Sequence, residues 1–108
     1  MYSEAYIKSI EFFSLKGYKN FKDAPDQILI EKFGNWTIAM HNRADIVTIR
    51  PDNCMSYPVP GRHIVVWFNG WYASTISLFT GLFLSGESVN EQKYLDDLSL
   101  ATNDIKEK

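Results

Sequence analysis

From Ile64 to Gly86 the chain runs 23 residues without a charge, and this stretch limits what the protein can fold into more than any other. Such a run either crosses a bilayer as a helix, since about 20 apolar residues span about 30 Å of hydrocarbon, or folds back on itself as buried strands. Its internal residues decide the matter. Asn69, Gly70, Ser74, Thr75, Ser77, Thr80 and Gly81 would sit in lipid, and Trp67 and Trp71 would fall inside the span instead of in the interfacial belts that tryptophan favours. Asn69-Gly70 separates two apolar segments, and a two-residue type I′ turn needs positive φ at both central positions, which Asn and Gly tolerate best. The run therefore reads as a hairpin, and no membrane span is expected.

With 108 residues the chain is long enough for one hydrophobic core and reads as a single domain, 1–108. Apolar residues make up 45% and aromatic residues 15%, which suits a packed globular interior. A net charge of −2 argues against a basic nucleic-acid protein and against a dense acidic mimic. Charge is nevertheless uneven, with eight basic and seven acidic side chains before His63 but three and six from His63 onward. The lone Cys54 cannot form an internal disulfide, and Glu4, Lys8 and Glu11 interrupt the N-terminal apolar stretch, so no signal peptide is read there. A cytoplasmic protein is expected, and the Asn35-Trp36-Thr37 glycosylation sequon is set aside on that ground.

The apolar pattern predicts helices at both ends. Tyr6, Ile10 and Phe13 recur at helical spacing between Ser3 and Lys16, with Gly17 as the stop. A second helix is predicted from Ser88 to Ile105, opened by the capping box Ser88-x-x-Glu91 and striped by Tyr94, Leu98, Ala101 and Ile105. Between them, strands are predicted over 27–33, 36–41, 46–50, 63–68 and 71–78, with a short piece at 82–84; a helix over 25–33, capped by Asp23 and begun by Pro25, competes with the first. Residues 51–61, rich in proline, read as a loop. The fold class is α+β: an antiparallel sheet of about five strands flanked by an N-terminal and a C-terminal helix, both on one face.

If Asn69-Gly70 is the turn, Phe68 pairs with Trp71, Val66 with Ala73 and Ile64 with Thr75 on one face. Trp67 then pairs with Tyr72, Val65 with Ser74 and His63 with Ile76 on the other. Both faces are apolar, and two helices cover only one of them. Either loop 51–61 folds across the second face, or that face is a binding surface anchored by Trp67 and Tyr72, with Phe68, Trp71 and His63 of the same hairpin as the further candidate binding residues.

Chemistry-bearing constellations are thin. Cys54, His63 and Asp52 have the residue types of a thiol catalytic set, but nothing in their spacing marks one. His41, His63, Cys54 and Asp45 lack the close pairs of a zinc motif, so no metal and no cofactor is expected. Asp96 and Asp97 point about 100° apart on a helix and read as a solvated face. Lys8, Lys16, Lys19 and Lys22 with Tyr18 and Phe21 form a weak candidate nucleic-acid track.

The segment Trp67-Phe-Asn-Gly-Trp-Tyr-Ala73, followed by a glycine-spaced strand to Gly86 and a helix opening with Asn90-Glu91, resembles small phage and prophage accessory proteins. That resemblance implies a phage-borne protein that blocks a host defence complex by binding, in the manner of an anti-CRISPR, and it assigns no functional residue. The expected function is therefore a non-enzymatic protein-binding module that docks onto another protein or onto a second copy of itself. The alternatives are a nucleic-acid or small-ligand binder and a Cys/His-dependent enzyme.

Overall fold

The structure, a computed structural model, describes residues 3–18, 28–41, 43–50, 56–59, 61–78, 83–85 and 91–107, the backbone alone for 83–85. It is α+β, as expected. The element order is α1 (Glu4–Leu15), β1 (Ile28–Phe33), β2 (Trp36–His41), β3 (Val47–Ile49), β4 (Tyr57–Val59), β5 (His63–Phe68), β6 (Trp71–Ser77), β7 (Phe83–Ser85) and α2 (Glu91–Lys106). Residues 28–33 are a strand and not part of a helix. Ser88, with its predicted capping box, and Pro25 lie outside the described residues.

α1 begins at Ser3, whose side chain accepts a bond from the Tyr6 amide, and ends in a Schellman motif. There Tyr18 N–H donates to Phe13 O and Gly17 N–H donates to Ser14 O, satisfying carbonyls that the helix end leaves free. The Tyr18 ring packs edge-on against Phe13, the apolar contact that accompanies this motif.

Five strands form one antiparallel sheet in the order β1-β2-β5-β6-β7. The predicted third strand is not among them. β3 leaves the main sheet and pairs with β4, Thr48 lying opposite Pro58, to make a separate two-stranded flap. The predicted 51–61 loop thus contains a strand. Pro58 hid it, because a proline demotes a strand reading; its missing N–H is tolerated here in a short strand of a two-stranded sheet.

The hairpin forms around Asn69 at φ 53 and Gly70 at φ 83, as its sequence predicts. Next to the turn the predicted pairs hold, Phe68 with Trp71 and Trp67 with Tyr72, but a bulge between Val66 and Trp67 then shifts the register by one residue. Val66 faces Ser74, Val65 faces Thr75, Ile64 faces Ile76 and His63 faces Ser77, correcting the uninterrupted ladder read from the sequence. The slip has a clear physical reward. It turns Ile76 onto the helix-covered face against Ile64 and sends Thr75 to the other, whereas the unshifted register would bury Thr75 and turn Ile76 away from the helices.

Both helices pack on one face. Ala5, Phe12 and Phe13 of α1 and Tyr94, Leu95 and Leu98 of α2 meet Leu29, Trp36, Ile38, Met40, Ile64, Val66 and Ile76 in the main core. The buried Tyr94 hydroxyl shares a 2.5 Å hydrogen bond with Ser9 Oγ, which joins the two helices. Burial pushes the Tyr94 phenol far above its ordinary range.

The flap covers the other face. Ile49 and Val59 close over Ala39, Val65 and Trp67, with Val47 and Tyr57 at the margin. A hydrogen bond ties it to β2, His41 Nε2 lying 2.8 Å from Val59 O, and just beyond the flap the backbone at Gly61 runs so close to that of Arg43 that no Cβ fits there. Of the two readings of the second face, the covering loop is therefore the observed one. Among the described residues no helix is long and apolar enough to cross a membrane, and 64–77 forms strands β5 and β6 with their turn instead.

Two substitutions test this account by chemical denaturation. Trp67→Ala is expected to cost about 3 to 5 kcal/mol, as for a large aromatic removed from a core. Gly70→Val is expected to cost about 1 to 3 kcal/mol, because a β-branched residue at positive φ is strained. A loss below about 1 kcal/mol for Trp67→Ala would show that the flap does not cover it.

Candidate functional site

The five residues predicted to bind divide between the two faces. Trp67 is 1% exposed and belongs to the core beneath the flap, so it is not available as a surface anchor. Tyr72 stacks flat on Tyr57, centroids 4.8 Å apart and planes 5° from parallel, and its hydroxyl bonds Thr75 Oγ1 at 2.8 Å. Tyr57 also meets Trp67 edge-on. Desolvation, with Tyr72 alongside, raises the Tyr57 phenol above its ordinary range. His63 is half-buried, its Nδ1 2.8 Å from Gly61 O, and in register it faces His41. These contacts close the flap. Tyr72, 37% exposed, is the ring that stays open to solvent among the described aromatics of the flap face, and its stack on Tyr57 ties it to the flap.

Phe68 and Trp71 lie on the helix-covered face, at the end of the sheet where the turns are. Successive registers bring Phe33, Trp36, Phe68 and Trp71 into one row across four strands. The Gly34-Asn35 and Asn69-Gly70 turns sit side by side beyond this row, tied by Asn69 N–H donating to Asn35 O at 2.9 Å. Trp36 is the hub of the row. Its ring touches Phe68 at 4.6 Å, Phe33 at 6.3 Å and Tyr94 at 5.1 Å between centroids. Burial falls off along the row: Phe33 and Trp36 are core, Phe68 is half-buried with Lys93 Nζ 5.4 Å from its ring centre, and Trp71 is 68% exposed.

α2 completes this end of the molecule. Trp36 Nε1–H donates to Asp97 Oδ2 at 2.8 Å, and Lys93 Nζ reaches the same oxygen at 3.4 Å. Between this helix and the Gly34-Asn35 turn runs an open groove of about 420 Å³, floored by Phe33 and Trp36 and walled by Lys93, Asp97, Leu100, Ala101 and Asp104.

Asp97 is the site residue that sequence reasoning missed. Asp96 does lie on a solvated face, accepting from Gln92 at 2.8 Å, but Asp97 is half-buried against the indole. A signal existed, since a tryptophan inside a core needs an acceptor for its one N–H. Which acceptor it takes depends on packing that spans 61 residues of sequence.

The alternative constellations are not assembled by the described residues. Cys54 and Asp52 lie outside them, as do Lys19, Phe21 and Lys22 of the lysine track, while Tyr18 is half-buried and packs onto Phe13. His41 has both ring nitrogens engaged, Nε2–H donating to Val59 O and Nδ1 accepting from Arg43 N–H at 3.3 Å. Asp45 is held below the usual carboxylate range by its bond from Arg43. Among the described residues no three His, Cys, Asp or Glu side chains converge on a common centre.

Comparison of the chain with known protein families, with characterised proteins and with solved structures returns no match.

The Asp97 contact predicts a specific pair of outcomes. Asp97→Ala leaves the buried indole N–H without a partner and is expected to cost about 1 to 3 kcal/mol in thermal or chemical unfolding. Asp97→Asn keeps an oxygen that can accept the bond and is expected to cost less. Equal losses for the two variants would show that the hydrogen bond is not what fixes α2 over Trp36.

Proposed function

We propose that this chain is a small protein-binding module that docks onto another protein through the turn end of its sheet, with Trp71 as the anchor. The observation that carries this reading is Trp71 itself, a tryptophan left 68% exposed at the end of an otherwise buried aromatic row. Tryptophan is the residue type most enriched among interface hot spots, and such anchors act best on rigid supports. Trp71 has one, because its neighbour Phe68 packs on the Trp36 hub and its turn is hydrogen-bonded to the adjoining one. Binding, not covalent chemistry, is what the described side chains favour. Their histidines serve structural bonds, and their most exposed large apolar group lies on a surface and not in a reaction cleft.

A narrower form, in which the chain is phage-borne and its partner is a host defence complex, is supported only by the resemblance of the Trp67–Ala73 segment described above. A second copy of the chain as partner follows equally from an exposed aromatic anchor.

Trp71→Ala tests the reading. Stability is expected to change by less than about 0.5 kcal/mol, as for other surface substitutions. Capture of the protein that the wild-type chain retains from a lysate of its source cell, or self-association in sedimentation, is expected to weaken by about 2 kcal/mol or more. Undiminished capture and unchanged self-association by a folded Trp71→Ala variant would reject the docking role.

A further inference from the structure

We infer that the groove between α2 and the Gly34-Asn35 turn receives an arginine side chain, flanked by apolar residues, from the protein that docks on this end of the sheet. The inference rests on the docking reading and names the chemistry of the partner. On α2 the groove residues Asp97, Leu100 and Asp104 are spaced three and four apart, which sets one leucine between two carboxylates, each about a turn away. Leu100 is 67% exposed, an apolar group with no cover among the described residues.

The acceptors around it have capacity to spare. The two donors that reach Asp97, Trp36 Nε1–H and Lys93 Nζ, both end on Oδ2, leaving Oδ1 without a donor among the described residues. Asp104 is exposed and makes no ion pair with a described cation. The groove's ammonium, Lys93, lies between the Phe68 ring and Asp97 Oδ2, so it occupies one oxygen of that carboxylate and is not paired with Asp104. The half of the groove around Leu100 thus offers carboxylate oxygens beside apolar wall and floor.

A guanidinium fits that combination better than an ammonium. Its planar fork of N–H donors can serve two separate carboxylates, and its stem lies along apolar surface. A carboxylate-bearing segment would be repelled. The acidic balance of the chain from His63 onward adds attraction toward a basic partner at longer range.

The experiment titrates ¹⁵N-labelled protein at low salt with the acetylated, amidated peptide Ser-Leu-Arg-Leu-Ser, and with counterparts carrying Gln or Glu in place of Arg. The expected result is a set of amide shifts confined to Gly34, Asn35 and residues 97–104, absent from β3 and β4. Binding is expected to weaken about tenfold or more with the Gln peptide, with added salt, and in Asp104→Lys, a variant at an exposed position that should melt like the wild type. Leu100→Ser serves as a second variant and should weaken binding without any salt dependence of its own. Equal shifts with all three peptides, shifts centred elsewhere, or none at millimolar peptide would overturn the inference. If the peptide fails while Trp71→Ala still abolishes capture, the groove assignment falls and the docking reading stands; if the Arg peptide binds the groove while Trp71→Ala changes nothing, the groove assignment stands alone.

Discussion

The requirement to cover β2 and β5 on both faces shapes the rest of this molecule. Every residue of β2 is buried, and so are Ile64, Val65, Val66 and Trp67 of β5, so neither face of the sheet centre tolerates water. Two helices close one face, leaving Ala39, Val65 and Trp67 on the other. Burying a side chain of this kind stabilises by about 1.5 to 3 kcal/mol, and leaving three in a row exposed would forfeit that and invite association. The β3–β4 flap exists to meet this demand. Its attachment explains otherwise unrelated features: a buried histidine with both nitrogens bonded, a glycine at 61 where backbone meets backbone, and a three-ring cluster of Tyr57, Trp67 and Tyr72.

The bulge in the β5–β6 hairpin follows from the same constraint. A type I′ turn fixes the register of its first pairs, and an unbroken ladder from Phe68–Trp71 would turn Ile76 away from the helices and Thr75 toward them. One extra residue at the bulge corrects the phase farther out while keeping the turn. The two ends of the hairpin obey different requirements, and the bulge lets both be met.

The sequence made the α+β class and the two terminal helices legible, along with the boundaries of β2, β5 and β6 to within a residue, because these rest on local signals: helical spacing, Gly17, Asn69-Gly70. What it hid depends on distant partners. Whether Trp67 is core or surface turns on three-residue strands, one of them interrupted by Pro58, whose pattern is too short to show a period. The bulge is invisible until the helix-covered face is known. Asp97 looked like half of a solvated pair because periodicity gives the side of a helix but not the tryptophan waiting there. Of the five residues read as binding, Trp71 and Tyr72 are exposed, Tyr72 stacked on the flap and Trp71 the more open of the two, a difference that residue type and place in the hairpin do not reveal.

The edges of the sheet offer a rival place for a partner, and one edge argues against itself. β1 is outermost by strand order and carries Ile28 and Ile30 exposed on the flap side, which would favour strand addition. On the alternate positions, however, Leu29 and Phe33 point to the helix side with Glu31 lodged between, half-buried. A charge turned inward on an edge strand makes pairing costly, because an added strand would strip water from the carboxylate. No such guard stands at Trp71. Its row ends in the uncharged Phe68-Asn69-Gly70-Trp71 turn, where covering the exposed indole would strip water from an apolar ring instead of from a half-buried charge.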